Sequence, residues 1–190
     1  MECATGYFES LAKVLHMVEA GLENGRPVGL ANGIERAIAM ITGCSGAGRK
    51  IIFIGNGGSA AIASHQAVDY WKNGGMRAVA FNDSSLLTCV GNDYGYVHVF
   101  EKPVEMFADP GDVLIAISSS GQSENILRGS QAALSKGCTL LTMSGFKSDN
   151  PLRKLGAVNF YVPSASYGFV EISHLALCHC LVDTIIERRV

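Results

Sequence analysis

Apolar residues at Phe8, Leu11, Leu15, Val18 and Leu22 recur at helical spacing and predict an N-terminal helix from about Thr5. "NGRPVGL" interrupts that pattern with glycine and proline, and a second helix is predicted from about Ala31 to Ile41. "GCSGAGR", Gly43 to Arg49, reads as a connector. From there short apolar runs alternate with helical periods. "KIIFIG", "RAVAF", "DVLIAIS", "CTLLTMSG" and "VNFYVP" are bounded by turn residues and predict five strands. Helices are predicted at Ser59 to about Trp71, Ser84 to Gly91, Ser123 to Lys136 and Tyr167 to Arg188, with a short helical piece at "LRKLG".

Strands separated by helices predict an α/β fold: a three-layer α/β/α sandwich with a five-stranded parallel sheet, preceded by N-terminal helices. One domain is expected over residues 1–190, with a helical segment at 1–48 and the α/β core at 49–190. The two N-terminal helices have no predicted strand beside them. They are expected to cap one face or to pack on another subunit.

Composition narrows the picture. Of 190 residues 48% are hydrophobic and 17% charged, which suits a folded chain with a substantial core. The formal net charge is -2 and no long basic run occurs, so neither nucleic acid nor an acidic membrane surface is an expected partner. No uninterrupted apolar run reaches the roughly 18 residues of a membrane helix. The first residues carry acidic side chains where a signal peptide carries basic ones, so a cytoplasmic location is expected. The six cysteines, Cys3, Cys44, Cys89, Cys138, Cys178 and Cys180, form no C-x-x-C pair and read mainly as small core residues. Cys178 and Cys180 flank His179, but thiolate zinc sites favour a different spacing.

Two turns carry candidate chemistry. "GNGGSA", Gly55 to Ala60, and "SSSGQSEN", Ser118 to Asn125, each leave a predicted strand and enter a helix. Free backbone N–H groups and the helix dipole favour an anion there. The second turn adds the hydroxyls of Ser118, Ser119, Ser120 and Ser123. The first lacks both the Lys-Ser/Thr ending of a nucleotide P-loop and the full dinucleotide spacing. A phosphate monoester is therefore expected in preference to a nucleotide. A plain solvated turn with Ser123 as helix N-cap is the competing reading, and the two are compatible.

Just downstream, His65 and Asp69 stand at i and i+4 on one helix face. Glu171, His174 and His179 punctuate the apolar C-terminal helix. Glu171 and His179 are about two turns apart and about 80° apart around an ideal axis, so they converge only if Glu171 lies near a frayed helix start. His174 is turned away and reads as a structural histidine. Two histidines and two carboxylates can hold a divalent ion or move protons. Spacing alone does not bring the two helices together.

In order and spacing, "GNGGSA", "H-x3-D", "VGNDYG", "AISSSGQS" and "E-x7-H" resemble the phosphoheptose isomerases, a family of sugar isomerase (SIS) domain proteins. The likeness runs over nearly the whole chain. It implies a homotetramer with zinc that interconverts sedoheptulose 7-phosphate and D-glycero-D-manno-heptose 7-phosphate, a step in heptose biosynthesis. It implies that Asn56, Gly57, Gly58, Ser59, Asn92, Asp93 and Glu171 line the substrate pocket. Ser118, Ser119, Ser120 and Ser123 would grip the phosphate. His65, Asp69, Glu171 and His179 fall on the metal ligands, and Asp69 and His179 on the acid-base pair. The family has glutamate in place of Asp69 and glutamine in place of Glu171. Some members have arginine in place of Asn73 and of Phe169. A second reading is a non-catalytic SIS protein that binds phosphosugar or a replication initiator. The presence of both Asp69 and His179 favours chemistry.

Overall fold

The computed structural model describes residues 4–189. Its sheet is built from β1 (Glu19–Leu22), β2 (Arg26–Val28), β3 (Ile51–Gly55), β4 (Ala78–Ala80), β5 (Val113–Ser118), β6 (Thr139–Ser144) and β7 (Val158–Tyr161). The order across the sheet is β2-β1-β7-β6-β5-β3-β4. The five strands expected from the apolar runs are present and mutually parallel. The sheet nevertheless has seven strands rather than five, because β1 and β2 form a hairpin and β1 pairs antiparallel with β7.

The hairpin corrects the first predicted helix. That helix, α1 (Ala4–His16), stops short of Val18 and Leu22. Val18 and Ala20 instead enter the core, with Ala20 opposite Phe160 of β7. Pairing with a buried strand outweighs a helical spacing that continues by coincidence. The second helix, α2 (Leu30–Gly46), runs through most of the expected connector, since Ile41 and Cys44 are buried against the sheet. It caps one sheet face, while α1 lies against the last helix.

The remaining helices are α3 (Gly58–Lys72), α4 (Ser84–Tyr94), α5 (Glu101–Phe107), α6 (Glu124–Ser135) and α7 (Tyr167–Glu187). Strand residues alternate between two cores, which makes three layers. Ile51 and Phe53 of β3 pack with α2, α3 and α7, whereas Ile52 and Ile54 pack with α5 and α6. Helix α7 is long and apolar enough, by length and composition alone, to resemble a membrane span. Its apolarity serves the core: Val170, Leu177, Leu181 and Ile185 are buried on the sheet. Cys44, Cys138 and Cys178 are buried too, and desolvation pushes the Cys178 thiol up to about 12. Cys3 lies outside the described residues.

His174 is the structural histidine that its position suggested. It is fully buried, and its Nε2 donates to the Ser144 carbonyl at 3.2 Å. Its Nδ1 has no partner. Burial lowers its pKa from 6.5 to about 4. Between those values the unfolded chain binds a proton that the folded protein does not, so stability falls as pH drops through this window. The loss should total about 3 kcal/mol. Urea unfolding at about pH 7 and about pH 4.5 should show a smaller acid loss in a His174→Gln variant than in wild type. Equal losses would remove His174 as the cause.

Candidate active site

Chain order places β4 on one side of β3 and β5 on the other. Ligands of open α/β sheets bind where the strand order reverses, beyond the C-terminal strand ends. Both small-residue turns sit there, after β3 and after β5. Together with Tyr167 and Glu171 of α7 they enclose a cavity of about 280 Å³. Asn56, Gly57, Gly58 and Ser59 line it from the first turn, and Ser118, Ser119, Ser120 and Ser123 from the second.

The first turn depends on glycine. Gly57 has φ 53° and ψ -121°, a conformation that side chains disfavour. A Cβ on Gly58 would lie 2.4 Å from Glu171 Oε1. The Glu171 carboxylate thus packs directly on the start of α3, whose dipole favours negative charge. In the second turn, Ser118 Oγ accepts from Gly121 N and Ser120 Oγ from Gln122 N. Ser123 occupies the N-cap position of α6, yet its hydroxyl makes no capping bond and remains available to a ligand.

An amide pair ties the turns together. Asn56 Nδ2 donates to Asn125 Oδ1 at 2.9 Å, and Asn125 Nδ2 donates back to Asn56 Oδ1 at 2.8 Å. Tyr96 Oη also donates to Asn56 Oδ1. Neither Asn125 nor Tyr96 stands out in the sequence. The only hint was that Asn125 closes the serine-rich turn.

Two of the expected pocket residues lie elsewhere within the chain. Asn92 and Asp93 are exposed near the end of α4, which continues past the predicted Gly91 to Tyr94. Asn92 Nδ2 donates to Asp93 Oδ1, and neither lines the cavity.

The second cluster lies farther along the same two helices. His65 Nε2 is 3.2 Å from Asp69 Oδ2, and His179 Nδ1 is 3.8 Å from the same oxygen. Asn73 Nδ2 donates to the other oxygen, Oδ1, at 3.1 Å. Asp69 therefore reaches both imidazoles despite its short side chain. Glu171 does not join them. It sits in the second turn of α7, away from any frayed start, and its carboxylate lies in the serine-lined cavity. Neither Cys178 nor Cys180 joins the cluster. Phe169, at a position where arginine was considered, is buried against Tyr7 of α1, with ring centroids 5.0 Å apart. That contact helps to seat α1 on α7.

Donor atoms of His65, Asp69 and His179 all lie within 4.8 Å of one another. Two imidazoles and a carboxylate at that separation suit zinc or a similar divalent ion. The fit rests on three ligands rather than the four that the sequence suggested.

Helices α3 and α7 pack side by side and run in the same direction, Gly58 meeting Glu171 at one end and Asp69 meeting His179 farther on. From Ser59 to His65 is about 9 Å along the axis, and to Asp69 about 15 Å. A phosphorylated sugar of seven carbons has a length on the order of 10 Å. The serine-lined cavity and the His65–Asp69–His179 cluster therefore lie apart by a distance of that order.

Comparison with known proteins gives the family. The SIS domain profile matches residues 7–145. A phosphoheptose isomerase of Shewanella denitrificans is 36% identical over 165 residues, covering 82% of this chain and 84% of the relative. One from Geobacter sulfurreducens is 34% identical over 186 residues, covering 90% and 96%. The solved phosphoheptose isomerase of Neisseria gonorrhoeae superimposes with a TM-score of 0.84 at 30% identity, covering 95% of this chain and 96% of that one. The chain belongs to the SIS domain family and, within it, to the phosphoheptose isomerases.

Proposed function

We propose that the protein is an aldose-ketose isomerase that converts sedoheptulose 7-phosphate to D-glycero-D-manno-heptose 7-phosphate. The observation that carries this reading is the meeting of Asp69 and His179, from segments 110 residues apart in sequence, beside a cavity built for a phosphate ester. A phosphosugar-binding or initiator-binding scaffold needs the cavity but has no use for that pair.

The reaction moves a proton between adjacent carbons through a cis-enediol, while hydroxyl and carbonyl exchange places. The serine turn and the first turn of α6 hold the phosphate, fixing the far end of the sugar. Asp69 takes the proton from one carbon and returns it to its neighbour. His179 moves the proton between the two oxygens. Asn73 holds Asp69 Oδ1, which leaves Oδ2 to face the imidazoles. A zinc ion held by His65, Asp69 and His179 would polarise those sugar oxygens when bound. Glu171 lies in the same cavity, on the start of α3, where its charge accepts from sugar hydroxyls and confines the phosphate to the serine side. The enzyme would work in the cytoplasm, in heptose biosynthesis.

We place it there as a homotetramer. Tyr94, Tyr96, Met106 and Phe107 are large and exposed, as surfaces between copies require. Asn92 and Asp93 are exposed and do not line the chain's own cavity, and they would reach substrate only in an assembly.

Incubation with sedoheptulose 7-phosphate, with and without added zinc, tests the reading. Proton NMR should show the aldose phosphate accumulating to an equilibrium mixture. Tight binding of the ketose phosphate with no turnover under either condition would favour the scaffold.

A further inference from the structure

Gln66 follows His65 on α3 and precedes Asp69 by three residues, yet it is fully buried. Its Nε2 is 3.1 Å from His179 Nε2 and 3.5 Å from Asp69 Oδ2. Its Oε1 is buried with no hydrogen-bond partner among the described residues. A buried amide with one end shared by the acid-base pair and the other unsatisfied is costly unless it does something there.

We propose that Gln66 is a positioning residue: its amide grips the Nε2 side of His179 and so turns Nδ1 toward Asp69. This deepens the isomerase reading, since it concerns the same histidine. An amide N–H can bond to imidazole Nε2 only if that nitrogen carries a lone pair. The arrangement therefore keeps the ring proton on Nδ1, facing Asp69 Oδ2. When Nδ1 gives its lone pair to a cation, Nε2 must carry the hydrogen. The amide then has to present oxygen instead of nitrogen, which a half-turn about the last side-chain bond achieves. Glutamine carries both groups on one end and can serve both states. An apolar side chain serves neither, and a carboxylate serves only the second. Hydrogen bonds to the outer nitrogen of a ligating histidine typically change metal affinity by about 10- to 100-fold when lost.

Three measurements test this on the full-length protein. In metal-free wild type, ¹⁵N chemical shifts of His179 should report the Nδ1-protonated tautomer. The Nε2-protonated tautomer would overturn the proposal without any substitution. Cobalt(II), titrated by its visible spectrum, should bind Gln66→Met about 10- to 100-fold more weakly than wild type, but Gln66→Glu about as tightly. Wild-type affinity in the Met variant overturns the proposal. So does equal weakening in both variants, which would mark a packing role. In steady-state assays Gln66→Met should lower kcat with little change in KM. The tautomer and cobalt arms do not need turnover, so failure of the isomerase reading is separable from failure of this one.

Discussion

His179→Ala is expected to lower kcat on sedoheptulose 7-phosphate by about 10²- to 10⁴-fold, the usual worth of one positioned acid or base. Phosphosugar binding should survive. In the proposed reading the anion is held by Ser118, Ser119, Ser120 and Ser123, which line a cavity that the substitution does not touch. The substitution removes the ring that faces Asp69 Oδ2 at 3.8 Å and Gln66 Nε2 at 3.1 Å. It therefore takes away a proton carrier and one donor of the metal-like cluster together. Single-turnover assays and a binding measurement with inorganic phosphate separate the two outcomes. A variant that keeps more than about a tenth of wild-type kcat would show that His179 supplies no acid-base catalysis of that size. A variant that no longer binds phosphate would show that His179 shapes the cavity.

The second large effect concerns stability. Asp112, at the base of β5, is completely buried. Its Oδ1 accepts from Lys50 N at 2.9 Å, and its Oδ2 from Asp109 N at 2.8 Å and Lys50 Nζ at 2.6 Å. Asp109 also pairs with Lys50 Nζ, from the surface. Burial opposes the charge on Lys50, but the two carboxylates overcome it and raise its pKa. Asp112→Ala strands a mostly buried ammonium with one exposed partner and leaves two backbone N–H groups without acceptors. Removing one partner of a buried pair typically costs about 3–5 kcal/mol, and the same loss is expected here in urea unfolding. Asp112→Asn should fall between, since its carbonyl oxygen can still accept from Lys50 N. A loss below about 1 kcal/mol for the alanine variant would mean that Asp109 alone satisfies Lys50. The network also has a functional reach. Lys50 leads into β3 and Asp112 into β5, the two strands whose far ends carry the anion turns.

The parts of this architecture that sequence could reveal are those in which local pattern and tertiary role coincide. β3 and β5 are apolar almost throughout, and β6 is buried along nearly its whole length, because both faces of the parallel sheet are covered, so each reads as a short, mainly apolar run. The serine turn and the His65–Asp69 pair are local in the same way. β1 and β2 were hidden because they are four and three residues long and follow a helical spacing that seems to continue. α5 was missed because seven residues containing Pro103 give too short a period. The contact of α3 with α7 joins segments more than 100 residues apart, and no spacing within either predicts it. Glu171 shows the same limit. The resemblance placed it both in the substrate pocket and among the metal ligands, and its side chain lies in the pocket, beside Gly58. Gln66 reads as a polar residue on a mixed helix until its burial is seen.

The β1–β2 hairpin has a consequence beyond extending the sheet. Without it the outer side of β7 would present a row of bare peptide groups, the surface on which foreign strands add and fibrils grow. β1 occupies that row, and β2 becomes the new margin. β2 is only three residues long, and Pro27 at its centre has no N–H to offer. The hairpin of β1 and β2 thus acts as a stopper on one flank of the sheet. It keeps the sheet from being lengthened by another chain and leaves self-association to the helical faces.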